Sequence, residues 1–463
     1  MRVPLNKSLL FLLILFLANC WVGAQSRPVI DLWYGKEQTF GKPGAVQRWV
    51  NVLGNVDPMK NIVKLDFALN DGDFRPLSIG PDNRRLQRAG DFNVEIPIQD
   101  LVLGKNTILI EAVDKDGTLY SEVMELTWSP EASVADVNID WSEVDELTDV
   151  AQPIDGLWRI EGENLVSAPE ALGYDRVIGL GDMSWTDYEV LFPFEIYQTD
   201  PSSFGSEISV GPALLVILRW QGHTDSPVVC AQPHCGWEPC GGAITYSFNK
   251  DDKSGEGSLT TGWHDKSPGI SDFIIEPGKP YWMRARAETT MMGNAYAFKI
   301  WEGMVENEPE DWSAQTLGGP LNMSRGSFVL AAHHIDLAIG NIKINPLGTM
   351  RNKMVDILTE FTDILIQLPY LIIWIVGILW ALAYMRRDAG RGRWILVSFS
   401  LLFLTSLLGF ILIHYLPDYL LNQGWITRRV TYVYVLSSAI PIGGHLLAFA
   451  ILFKTLWPPK QID

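Results

Sequence analysis

Hydrophobic residues run almost unbroken through three stretches, 366–385, 394–416 and 430–453, whose cores carry no Asp, Glu, Lys or Arg. A helix needs about 20 such residues to cross roughly 30 Å of hydrocarbon, so the pattern predicts three transmembrane helices. Just before them, over 350–368, Met354, Ile357, Leu358, Phe361, Ile364, Leu365 and Leu368 recur three and four apart, while Lys353, Asp356, Glu360 and Asp363 fall off that stripe. That spacing predicts an amphipathic juxtamembrane helix. Upstream the period changes to two. Val63, Leu65, Phe67 and Leu69 alternate with polar neighbours before Asp71-Gly72, and Ile108 and Ile110 alternate before Asp114-Lys115-Asp116-Gly117. Both are strands followed by turn signals. From 139 to 346, strand-like runs rich in aromatic and branched residues (188–194, 213–220, 244–248, 281–287, 295–301, 327–332 and 341–344) alternate with Gly, Pro, Asp and Ser clusters. The fold class is therefore mainly β, followed by an α-helical transmembrane region of three helices.

The β part divides in two. Residues 28–130 have the strand spacing of an immunoglobulin-like β-sandwich, although they contain no cysteine and so lack the Cys…Trp…Cys core of antibody domains. A spacer that holds the next unit in place is the simplest role for it. Residues 131–138 form a short linker, and 139–346 have the length of one large sandwich. Residues 1–24 read as a signal peptide, with Arg2 and Lys7, the apolar stretch 9–18 and then Val22-Gly23-Ala24. Cys20 offers a rival, as a loose lipobox cysteine. With an exported start, the large N-terminal region is extracytoplasmic. Arg386, Arg387, Arg391 and Arg393 then fall on the cytoplasmic side, as does the C-terminus of a multi-pass cell-membrane protein.

The net charge of −18 argues against nucleic acid as a partner, because phosphate contacts need clustered Lys and Arg. The 18 tryptophans matter more, since many lie in the soluble part.

Asp182-Met183-Ser184-Trp185-Thr186-Asp187-Tyr188-Glu189-Val190 resembles the entry strand of concanavalin A-like (laminin G-like) jelly rolls, and 214–222 (LLVILRWQG) resembles their central strand. Residues 281–286 and 297–301, with Glu308-Pro309 and Trp312, resemble a strand pair of that family, and 327–344 its closing strand. The resemblance implies two sheets, one concave face and often a sugar ligand. The hydrolytic branch carries Glu-x-Asp-x-(x)-Glu on one strand, and no such strand is found here. Two carboxylates must flank a glycosidic bond for its hydrolysis, so the chain leans away from catalysis and no catalytic residue is assigned. Many members hold a calcium with an Asp-Asn pair. Gly340-Asn341 stands there instead, with Asp336 nearby, which removes the usual ligand. No cofactor is expected.

The densest candidate binding cluster is Arg219, Trp220, Gln221, His223 and Asp225, with Trp237 and Trp263 as further wall. Flat apolar rings plus bidentate polar groups are what sugar recognition needs. The bland alternative is that the aromatics pack in the core. Cys230, Cys235 and Cys240 form C-x4-C-x4-C with His234 between. An exported chain oxidises, so one disulfide among the three is expected, with a Cys3His zinc site as the alternative. His333 and His334 are adjacent on a strand, so they point to opposite faces and do not suit joint metal ligation. His414 and His445 fall in the apolar runs, where an ionisable group suggests function, although His414 lies close enough to the interface for a bland role. Asn322-Met323-Ser324 is a glycosylation sequon. The expected function is non-catalytic recognition of a polysaccharide or surface glycan. The alternatives are an adhesion or scaffold protein that binds a surface protein, and a glycan hydrolase or lyase.

Overall fold

The structure is a computed structural model that describes residues 29–457 apart from 43, 58–60, 83, 132–133, 168–174, 201–210, 226–231, 249–254, 263–268, 272, 291, 320–321, 348–367, 424 and 426. The predicted signal peptide and juxtamembrane stripe lie outside the described residues.

The N-terminal unit contains two sheets. Val29–Leu32, Trp49–Asp57 and Asp91–Pro97 form one; Glu37–Phe40, Leu119–Trp128, Gly104–Asp114, Ile62–Leu69 and Arg75–Pro76 form the other, in that order. Alternation decides what is inside. Ile108, Ile110 and Ala112 meet Val52, Val94 and Ile96 in one apolar core. The Asp71-Gly72 turn forms as expected, with Asn70 and Asp71 at φ 48° and 59°.

The second unit pairs a seven-stranded sheet with a nine-stranded one. The first runs Gln152–Asp155, Asp175–Leu180, Ser327–His333, Ala213–Trp220, Gly242–Phe248, Gly255–Thr261 and Gly269–Ser271. The second is centred on Tyr188–Thr199, which pairs with Pro280–Thr290 on one side and with Ile335–Ile339 and Ile342–Pro346 on the other. Tyr188, Val190, Phe192, Phe194 and Ile196 alternate inward and are all buried. Burying each such side chain stabilises the unit by about 1.5–3 kcal/mol. The expected closing strand is three strands, because His334 at φ 53° turns the chain from one sheet into the other.

Ala213–Trp220 is buried on both faces. Leu214, Val216 and Leu218 face the space between the sheets. Leu215 and Ile217 face away from it, yet are covered by Val46 of the N-terminal unit, by Ile154 and by Trp237. A strand covered on both sides reads as a continuous apolar run.

A polar seam joins the two units. Asn51, Asn93 and Glu95 occupy the outer face of the three-stranded sheet, where the second unit buries them. Asn51 donates to Asn93 at 2.8 Å, and Asn93 donates to the Ile154 carbonyl at 3.0 Å. Arg85 donates to Asp155 at 2.7 Å and to Glu95 at 2.6 Å. The other Glu95 oxygen accepts from the His234 backbone at 2.7 Å and meets its ring nitrogen at 2.6 Å, while Trp49 stacks on that ring at 4.3 Å.

Two helices are long and apolar enough to cross a membrane, over Ala389–Ile413 and Arg429–Leu456. We name the helices α1 (Leu368–Tyr384, shorter and also apolar), α2 (Ala389–His414), α3 (Leu416–Asn422) and α4 (Thr427–Leu456). Small residues let them approach: a Cβ on Gly444 would meet Thr405, and one on Gly377 would meet Phe399. Trp374 donates to Ser406 at 3.1 Å, Ser406 lies 2.9 Å from His445 Nε2, and His445 Nδ1 lies 2.6 Å from the Pro441 carbonyl. A carbonyl only accepts, so Nδ1 carries the proton, and in the neutral ring Nε2 accepts from the serine. His445 thus ties three helices together. Ser406→Ala is expected to destabilise the bundle by about 0.5–1 kcal/mol, within the range for such bonds. Equilibrium unfolding in mixed micelles would read it, and an unchanged midpoint would contradict the tie.

Candidate functional site

Most of the residue cluster read as a sugar wall serves as frame. Arg219 lies in the left-handed region at φ 55° and its side chain turns back into the end of the sandwich. Its Nε donates to the Thr186 carbonyl at 2.7 Å, and its Nη2 donates to Asp187 at 3.1 Å and to Thr289 at 3.0 Å. Trp220 is 0% exposed and donates to the Trp237 carbonyl at 3.2 Å. Gln221 donates to the carbonyls of Met183 and Arg325 at 3.0 and 3.1 Å. His223 is buried edge-on against Trp220 and Trp237, with ring centroids 5.1 and 4.6 Å apart. This corrects the expected role of these four. Stacking on a sugar needs an open ring face, and these side chains have none. Asp225 is exposed, 3.6 Å from His234 Nε2, and Trp237 is half-buried. Trp263 lies outside the described residues.

Cys235 is disulfide-bonded, and Cys240 is a free buried thiol. Cys230 lies outside the described residues. Burial pushes the Cys240 thiol up, as for an inert core cysteine. His333 and His334 turn to different carboxylates, Asp175 at 2.6 Å and Asp200 at 3.5 Å. Asp336 pairs with Arg176 at 3.0 Å, and Asn341 accepts from the Trp141 backbone at 3.1 Å. The sequon asparagine is also engaged: Asn322 donates to the Gly241 carbonyl at 2.8 Å and accepts from the Tyr296 hydroxyl at 2.6 Å.

An open cleft lies where the two units meet. It has a volume of about 750 Å3, and its walls include Trp33, Tyr34 and Glu37 from the first unit and Glu146, Trp158 and Arg159 from the second. The first strand delivers Trp33 and Tyr34, and Gly35 at φ 81° closes the turn behind them. The Tyr34 hydroxyl donates to the Gly156 carbonyl at 3.0 Å and accepts from the Trp158 backbone at 2.9 Å. Burial pushes that phenol up, so it stays a neutral pin between the units. Trp158 is 2% exposed, and its indole N–H has no acceptor among the described residues. A buried unpaired donor costs about 1–3 kcal/mol. The Arg88 guanidinium lies 5.3 Å over the Trp33 ring. Sequence reasoning passed over Trp33, Tyr34 and Trp158. The only signal was three aromatics flanking the unit boundaries.

A second groove of about 380 Å3 crosses the outer face of the nine-stranded sheet beside Arg286, Glu288 and Trp312. Its charges are already matched: Glu189 takes Arg286 at 2.6 Å, and Arg286 and Lys299 lie 4.7 and 5.1 Å over Trp312.

The chain matches no family model and no curated protein sequence. Among solved structures it is similar to a carbohydrate-binding module, CBM66 from Bacillus subtilis, at 11% identity and TM-score 0.27, covering 42% of this chain and 94% of that one. It is similar to the Caenorhabditis elegans galectin LEC-6 at 7% identity and TM-score 0.23, covering 40% and 96%. It is also similar to the Crh5 transglycosylase at 7% identity and TM-score 0.30, covering 46% and 85%. At such values the ligands of those proteins do not transfer to this one.

Proposed function

We propose that this protein is a membrane-anchored glycan receptor whose large N-terminal region is extracytoplasmic. An immunoglobulin-like spacer and a concanavalin A-like jelly roll share a polysaccharide-binding cleft at their junction. The observation that carries the reading is the cleft itself: the half-buried Trp33 indole and a pinned phenol beside carboxylates and a guanidinium. Ligand sites favour such junctions and volumes of about 300–1,000 Å3. Aromatic faces take the sugar's C–H surface, and the charged groups take hydroxyl pairs. The helices multiply cross the membrane in this reading. Support for the sidedness comes from Met323 of the second unit, which packs with Leu421 and Val430 at the α3–α4 turn. In this reading the turn lies on the receptor's side and the arginine-rich α1–α2 turn on the other.

The test is glycan-array binding by the full chain in lipid nanodiscs. Trp33→Ala is expected to weaken binding at least about tenfold, since stacking on one aromatic can supply about 1.4 kcal/mol. The melting midpoint should move little, because Trp33 is only half-buried. Binding that Trp33→Ala leaves unchanged, or silence across a broad array, overturns the proposal. Release of reducing ends from bound polysaccharide would instead favour the hydrolase.

A further inference from the structure

We infer that the end of the helical bundle remote from the two β units holds a binding site for the phosphate of an anionic phospholipid headgroup. The site is a cleft of about 670 Å3 between the start of α2 and the end of α4, walled by Asp388, Gly390, Arg391, Trp394, Ile451 and Lys454. Its polar side is cationic. Lys454 has no carboxylate partner among the described residues, and the nearest acid to Arg391 is Asp388 at 3.6 Å, both partly exposed. Asp388 is already committed, because its side chain caps α2 by accepting from the Arg391 backbone at 3.0 Å. Arg386, Arg387 and Arg393 flank the cleft in sequence, which concentrates positive charge at one place in a chain of net charge −18. Gly390 contributes no side chain, which keeps the entrance open.

The level of the cleft relative to a bilayer follows from its aromatics. Trp394 is 57% exposed, and Trp457 stacks on Phe453 at 6.3 Å one turn beyond Lys454. Exposed tryptophans at helix ends mark the headgroup region. A cation pair and an indole at that depth, between apolar helix walls, match one phosphate with acyl chains running down the groove beside Ile451. Arg391 supplies a planar fork for phosphate oxygens and Lys454 a point charge. Basic pockets between spanning helices are suited to acidic headgroups, and each cation near an anionic surface favours binding severalfold.

The inference rests on the membrane reading and is independent of the glycan reading. The full-length protein is reconstituted in phosphatidylcholine vesicles with and without phosphatidylglycerol, floated, and then extracted for native mass spectrometry. It is expected to float with both vesicle types and to retain phosphatidylglycerol roughly thirtyfold over phosphatidylcholine. The double variant Arg391→Gln with Lys454→Gln should float but lose the preference. Arg429→Gln, at the opposite end of the bundle, should keep it. Floating without a preference, or a preference that survives in the double variant, overturns the site. Failure to float overturns the membrane reading and the site with it. Inorganic phosphate that displaces phosphatidylglycerol from the wild-type protein overturns the lipid as the source.

Discussion

Arg85→Met is expected to destabilise the two β units by about 3–5 kcal/mol, the range for breaking a buried ion pair from one side. The Arg85, Glu95 and Asp155 side chains are 3%, 1% and 1% exposed. Methionine fills the space but strands two carboxylates out of reach of water. The loss should appear as a lower denaturation midpoint, and acid should shape it. Burial works to raise the Glu95 carboxyl, but the Arg85 charge and the His234 bonds outweigh it and bring the group to about 2. A depressed carboxylate stabilises the fold above its unfolded value near 4.3, and that stability is lost as pH falls toward about 2. Burial pulls His234 down, yet Glu95 outweighs it and the ring is raised. Its contribution is therefore present below about 6.5 and lost as pH rises through the folded value. Asp155 works against Glu95, since burial holds it above its usual range. Wild-type stability should peak between the Glu95 and His234 windows. In Arg85→Met the acid loss should begin at higher pH, because the charge that depresses Glu95 is gone. A denaturation midpoint that barely moves would mean that the seam is wet.

Period-two patterning was enough to place some of the strands of both units, those over 63–69, 108–110, 188–194 and 281–287 among them, because each has one apolar face and one other face. It could not say what covers the other face. In Trp49–Asp57 and Asp91–Pro97 the polar positions Asn51, Asn93 and Glu95 look solvent-facing, yet the second unit buries them. That contact depends on Arg85 and Asp155, 70 residues apart, and nothing local announces it. The apolar run at 213–220 was the better clue, since a strand apolar at every position must be covered twice. Part of that cover is Val46 of the other unit. Two of the three expected spanning helices, Ala389–Ile413 and Arg429–Leu456, were legible from length and composition; the pairing of His445 with Ser406 was not, because it depends on rotation about the helix axes. The cleft aromatics were missed because they lie far apart in the chain. Trp33 and Trp158 become neighbours only after the two units dock.

Trp220→Ala gives the sharpest separation between the sequence-based picture of the site and the folded one. If Trp220 lined a sugar groove, alanine would abolish binding and leave the fold intact. Here its indole is 0% exposed, packed among Ile217, Val329, Val46 and Ile154, with its N–H on the Trp237 carbonyl at 3.2 Å. Truncation opens a large cavity and removes the indole's hydrogen bond to that carbonyl. Cavities of this kind cost about 3–5 kcal/mol, because the surroundings relax only partly. The carbonyl adds a further fraction. The expected result is a large drop in denaturation midpoint, since a domain's whole margin is about 5–15 kcal/mol. The loss should reach the junction, because Val46 packs on the same cluster from the other unit. Hydrogen exchange should therefore quicken in Trp49–Asp57 as well as in Ala213–Trp220. A variant as stable as wild type that loses glycan binding would restore Trp220 to the ligand and move the site away from the Trp33 cleft.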